Sequence, residues 1–198
     1  LQTLQAWDAR SNNWKPRSYD LSDYRGKYVR IQMGTFNDGW DGVQSMYVDD
    51  VLLTVCDGAL PPPPSLGCPT GYTERLLNNS FENNNGWYIP VTAYSAKYTS
   101  LYKNSGSRAM QTGILNQWHN RYSYSDFGQY AVVPDSSSDA FVKFHAYFRS
   151  TDLADKQYLL VLDSWGYWLD TLVWRSGSNT SGWVEITKSL KYKPYNGW

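Results

Sequence analysis

The chain has 198 residues, and 18 Lys plus Arg stand against 18 Asp plus Glu, so the formal net charge is zero. Balanced charge offers no basic surface for nucleic acid and no polybasic segment for anionic lipid, and no apolar run reaches the roughly 18 residues of a membrane-spanning helix. Aromatic residues make up 17% of the chain, about as much as the charged ones at 18%. With Ser, Asn, Gly and Thr between short apolar runs, this composition predicts an all-β fold of short strands joined by polar turns.

Residues 1–57 read as four strands. Thr3–Trp7 is the tail of one, and Trp14–Asp20 is a second that Pro16 marks as an edge or bulged strand. Tyr28–Met33 alternates, with Val29, Ile31 and Met33 on one face and Tyr28, Arg30 and Gln32 on the other. Tyr47–Val55 is the most apolar. Between the last two strands lies the turn cluster Asn37-Asp-Gly-Trp-Asp-Gly42.

Residues 58–77 read as a linker. Four consecutive prolines, Pro61 to Pro64, favour a polyproline II rod that spaces modules semi-rigidly. Cys56 and Cys68 flank the rod. A Cys56–Cys68 disulfide would close a short loop, stabilise by roughly 3 kcal/mol and imply an oxidising, extracellular setting; the alternative is two unrelated thiols.

From residue 78 onward, strands are predicted at Ala93–Leu101, Ala109–Gly113, Tyr124–Val133, Phe141–Arg149, Gln157–Asp163, Asp170–Trp174 and Trp183–Leu190. In Phe141–Phe148 both parities are apolar or aromatic, which predicts a central strand. The chain also repeats itself. Leu1-Gln-Thr-Leu4, Trp14, Leu21 and Tyr24-Arg-Gly26 recur as Leu169-Asp-Thr-Leu172, Trp183, Leu190 and Tyr195-Asn-Gly197, a period of roughly 170 residues. On this phase, residues 1–57 are the C-terminal part of one module and residues 78–198 the N-terminal part of the next. The missing strands are then expected from neighbouring copies or from sequence beyond this stretch.

Asn79-Ser-Phe-Glu82 with Gly86-Trp87, Ser105-Gly-Ser-Arg-Ala109, Gln157-Tyr-Leu-Leu-Val-Leu-Asp163 and Tyr47-Val-Asp-Asp-Val51 resemble secreted bacterial jelly-roll modules of the galactose-binding-like, MAM-like and carbohydrate-binding-module type. The resemblance implies an antiparallel jelly-roll β-sandwich, here as two incomplete tandem copies joined by the Pro-rich linker. It also implies a structural calcium between Glu82, with Asn79 nearby, and Asp49 or Asp50, for which the alternative is hydrogen bonding at a strand end. Asn37 and Asp38 with Asp41 form a second candidate for calcium, or a solvated turn.

Catalytic signals are lacking. His119 and His145 have no metal-ligand spacing, and there is no nucleophile elbow, phosphate loop or dinucleotide fingerprint. The aromatic clusters carry the remaining signal: Trp118 with Tyr122, and Trp165 with Trp168, set large rings beside polar groups. Such rings either stack on sugar faces or pack one subunit against another. The sequence thus predicts a non-catalytic, extracellular or cell-surface repeat that builds a fibre or adhesin with neighbouring copies of itself; its alternative is a carbohydrate-binding module of a secreted hydrolase.

Overall fold

The alternation read at Tyr28–Met33 is present: Val29, Ile31 and Met33 are fully buried, while Tyr28 is half exposed on the opposite face. The computed structural model describes Tyr24 and residues 26–57, 72–134, 137–177 and 179–189. The strands at Thr3–Trp7 and Trp14–Asp20, the proline rod and Cys68 lie outside the described residues, as does the side chain of Cys56. The Cys56–Cys68 pairing therefore lies outside them too.

The described strands are β1 (Lys27–Asp38), β2 (Gln44–Asp57), β3 (Tyr72–Glu74), β4 (Lys97–Thr99), β5 (Ala109–Gly113), β6 (Tyr122–Val133), β7 (Ser137–Ser150), β8 (Lys156–Leu162), β9 (Trp168–Arg175) and β10 (Val184–Ser189). Every pairing is antiparallel. A four-stranded sheet runs β6-β1-β8-β9, and a six-stranded sheet runs β10-β7-β2-β5-β4 with β3 added to β2. The chain is an all-β antiparallel sandwich.

One expectation is corrected here. The sequence reading seeks partners for residues 1–57 in neighbouring copies, but β1 pairs with β6 and β8, and β2 with β5 and β7, all within this chain. The reason is geometric. Without β1 and β2 each sheet would lack an inner strand, and those two strands fill the two gaps. Part of the segment read as a linker also joins a sheet, since Tyr72, Thr73 and Glu74 pair with Cys56, Val55 and Thr54.

Between the sheets, β1, β6 and β8 contribute Ile31, Phe127 and Leu159, and β2 and β7 contribute Val48, Leu53, Phe144 and Phe148, all buried. Phe81 plugs this core, with ring centroids 5.1 Å from Trp87 and 5.6 Å from Phe127. Burying each such side chain contributes about 1.5–3 kcal/mol. β2 is interrupted by a bulge between Asp49 and Leu52, where Asp50 takes φ 51°. Regular pleating would send Asp49 and Asp50 to opposite faces; the bulge re-aims them.

Candidate functional site

Asp49, Asp50 and Glu82 do come together, on one loop. Asp49 Oδ2 accepts from the backbone N–H of Asn104 at 2.8 Å and of Ser105 at 3.1 Å, and its Oδ1 accepts from Asp50 N at 2.8 Å. Asp50 accepts from Asn104 Nδ2 at 2.8 Å and from Ser105 Oγ at 2.7 Å. From the other end of the loop, Glu82 Oε1 accepts from Ser107 N and Arg108 N, both at 3.0 Å, and its Oε2 accepts from Ser107 Oγ. Gly106 permits this approach, because a Cβ there would stand 2.5 Å from Glu82 Oε1. Asn79 contributes its backbone carbonyl, which accepts from Val51 N at the bulge.

Among the described residues, Asp49, Asp50 and Glu82 do not bring one carboxylate oxygen each within 4.8 Å of the others, the convergence that a calcium held by all three would use. Every carboxylate oxygen of the three acids holds an N–H or O–H donor from the protein. Their evident work is to clamp the 104–108 loop. Burial pushes the Asp49 carboxyl up despite its amide donors, whereas the bonds from Ser107 hold Glu82 below its ordinary range.

The four aromatics picked from the sequence lie at two ends of the four-stranded sheet. Trp118 is almost fully exposed on a 3-10 turn, Gln117–His119, capped by Asn116. Tyr122 opens β6 opposite Asp38. Trp165 tops the β8–β9 turn, in a cleft of about 340 Å³ with Lys27, Tyr28, Asp163 and Leu169, and Trp168 opens β9 opposite Leu162. Leu162 pairs with Arg30, eight residues along β1 from Asp38, or roughly 26 Å. The two pairs therefore do not form one platform.

Between them lies what the sequence reading missed. On the outward face of the four-stranded sheet, Arg30 and Gln32 from β1, Asp126 from β6 and Tyr158 from β8 occupy the middle. Asp126 Oδ2 accepts from Gln32 Nε2 at 2.7 Å and from Tyr158 Oη at 3.1 Å. Its Oδ1 is buried without a hydrogen-bond partner, as is Arg30 Nε. Two glycines let these side chains lie flat. A Cβ on Gly34 would meet Asp126 Cβ at 2.5 Å, and one on Gly128 would meet Arg30 Nε at 2.7 Å.

Rings border this polar centre on all sides. Trp174 stacks on Tyr158 at 6.1 Å, Tyr28 on Tyr130 at 5.1 Å, and Phe36 lies 5.0 Å from Tyr124. Arg30 sits over the Tyr88 ring at 4.9 Å. Burial beneath these neighbours pushes the Asp126 carboxyl above its usual range, against the pull of Tyr158, Arg30 and Gln32. Burial and the adjacent Asp126 push the Tyr158 hydroxyl up as well. A desolvated carboxylate on an outward sheet face, tied to a glutamine and a tyrosine, is a recognised sign of a functional site.

No protein-family model, curated protein or solved structure matches the chain. The sequence did hold a signal for this face: the polar parity of β1, Tyr28, Arg30 and Gln32, continues through Gly34 and Phe36, and Tyr122, Tyr124 and Asp126 share one parity of β6. What it lacked was the register that lays the two side by side.

Proposed function

We propose that this chain is a non-catalytic, extracellular glycan-binding module that receives a sugar chain across the outward face of its four-stranded sheet. Pyranose rings offer apolar faces that stack on Trp174, Tyr124 and the Tyr28–Tyr130 pair, while their hydroxyls need donors and acceptors of the kind Gln32 and the Arg30 guanidinium supply. The observation that carries the reading is Asp126. A buried carboxylate in an outward-facing patch weakens the fold at neutral pH, yet here it fixes the orientation of Gln32 and Tyr158, which face the same side as the rings.

The non-catalytic part is supported by spacing. Glycoside hydrolysis uses two carboxyl groups about 5–9.5 Å apart. Among the described residues of β1 and β6, the next acid on this face is Asp38, which stands four residues along β1 from Gly34, the partner of Asp126, or roughly 13 Å away. The duplicated Leu1–Leu4 and Leu169–Leu172 segments fit a chain of repeated modules, in which weak single sites gain avidity. Such a chain would serve as a surface adhesin or as the targeting arm of a secreted hydrolase.

The test is a panel of polysaccharides and oligosaccharides followed by calorimetric titration. Binding is expected, and Trp174→Ala should weaken it tenfold or more, as loss of an interface anchor does, with an unchanged melting temperature. If no glycan binds while the protein self-associates in solution, the site reading fails and the fibre of neighbouring copies takes its place.

A further inference from the structure

The carboxylates of Asp38, Asp152 and Asp155 converge where the β1–β2 turn meets the β7–β8 loop, with one oxygen of each within 4.8 Å of the others. Asp155 is fully buried. Main-chain donors hold the three in place: Asp155 Oδ1 accepts from Asp38 N at 2.8 Å, Asp38 Oδ1 from Trp40 N at 2.8 Å, and Asp152 Oδ1 from Ala154 N at 2.6 Å. Gly42 N also donates to Asp152 Oδ2 at 3.2 Å. Among the described residues, no Lys, Arg or His forms an ion pair with any of them. The neighbouring Lys156 points its Nζ to the carbonyls of Leu153 and Ala154 instead.

A second observation is independent of the charges. Asn37 is fully buried. Its amide head lies against the cluster, since Nδ2 donates to Asp155 Oδ2 at 2.7 Å and to Gln44 O at 3.2 Å. Its Oδ1 has no partner at all. A buried amide oxygen without a donor is costly to the fold, and like charges at this spacing repel. A water molecule would satisfy the amide oxygen and leave the charge. A hard divalent cation answers both, because it takes carboxylate and amide oxygens together.

We infer that Asp38, Asp152 and Asp155, with the amide oxygen of Asn37, bind a divalent cation of the calcium type and so tie the β1–β2 turn to the β7–β8 loop. Calcium suits the set better than magnesium, since it accepts many protein oxygens in irregular geometry, whereas magnesium retains most of its water. The site differs from the one the resemblance implies, whose three acids do not converge in this way.

The test uses chelator-treated full-length protein titrated with terbium, which emits when excited through a nearby tryptophan. Trp40, bonded through its N–H to Asp38, stands in place to sensitise it. Terbium emission that calcium displaces, together with a calcium-dependent rise in melting temperature, is the expected result. Asp152→Asn and Asp155→Asn should each weaken binding at least tenfold, and Trp40→Phe should dim the emission while keeping the calcium-dependent rise. Glu82→Gln should bind as the unaltered chain does. Neither emission nor a melting shift in the unaltered chain would overturn the inference; so would binding that survives Asp152→Asn and is lost in Glu82→Gln.

Discussion

The two outward faces of the sandwich are both rich in rings, but they use them differently. On the six-stranded sheet Tyr47 is fully buried, its ring centroid 4.9 Å from Tyr102 and 6.0 Å from Tyr147, and Tyr102 in turn lies 5.4 Å from Tyr147. Burial there pushes the Tyr47 hydroxyl up to about 12. On that face Lys143 meets Glu185 at 2.7 Å, and the His145 ring lies 3.6 Å from Asp50 and 3.5 Å from Glu185. On the four-stranded sheet the rings surround a centre whose carboxylate oxygen and guanidinium nitrogen lack partners. The six-stranded face also keeps buried atoms without partners, Tyr47 Oη and His145 Nδ1, but on the four-stranded face the partnerless atoms belong to a carboxylate and a guanidinium.

Two buried aspartates, one on each face, carry the largest expected differences. In Asp49→Asn the new amide group must point a donor at an N–H that now donates to a carboxylate, so stability should fall by about 2 kcal/mol while glycan affinity holds. In Asp126→Asn the amide oxygen keeps Gln32 and Tyr158, and the new NH2 enters the place of the partnerless Oδ1, so no bond is lost. Stability at neutral pH should hold or rise, yet glycan affinity should drop tenfold or more as Gln32 and Tyr158 lose their charged anchor. Denaturant melts of both variants, paired with titrations, decide the matter.

The pH dependence of Asp126 follows from the same burial. Its folded pKa is raised, so the native state binds the proton more tightly than the unfolded chain does. Its contribution to stability is therefore greatest below the ordinary carboxylate range and is lost as pH rises through the raised value. Asp49, Glu74 and Asp155 are shifted in the same direction, so only the difference between the unaltered chain and Asp126→Asn isolates this group. That difference should favour the variant increasingly from acid to neutral pH; equal profiles would remove the electrostatic part of the reading.

Smaller effects are expected at the ends of the sheet. Trp118 projects from a turn beyond β6 and touches no part of the polar centre, so Trp118→Ala should leave glycan affinity within about twofold. Trp165 shares its cleft with Tyr28, and Trp165→Ala should weaken only long oligosaccharides, by less than Trp174→Ala does. Affinity measured against chain length separates the two cases.

Much of the sandwich was legible in the sequence because strand periodicity is local. Val29, Ile31 and Met33 alternate into the core, Ala109–Gly113 has the predicted bounds, and Val142, Phe144, Ala146 and Phe148 are all buried. β3 was not legible, since three residues cannot display a period. The clamp residues Asp49, Asp50 and Glu82 stood out through their short motifs, although what they hold is a loop. Asp126 was hidden because its meaning arises from Gln32 and Tyr158, brought beside it by cross-strand register. The same holds for Asp38 with Asp152 and Asp155: Asp38 was singled out, with Asp41 as its expected partner, but its true neighbours arrive from a loop more than a hundred residues away.

The most direct measurement is an amide NMR titration of the folded chain with a glycan that binds. Shifts should concentrate at Tyr28–Phe36 on β1, Tyr124–Tyr130 on β6, and around Tyr158 and Trp174. Shifts centred instead on Tyr47, Tyr147 and the 104–108 loop would contradict the assignment of the ligand to the four-stranded sheet.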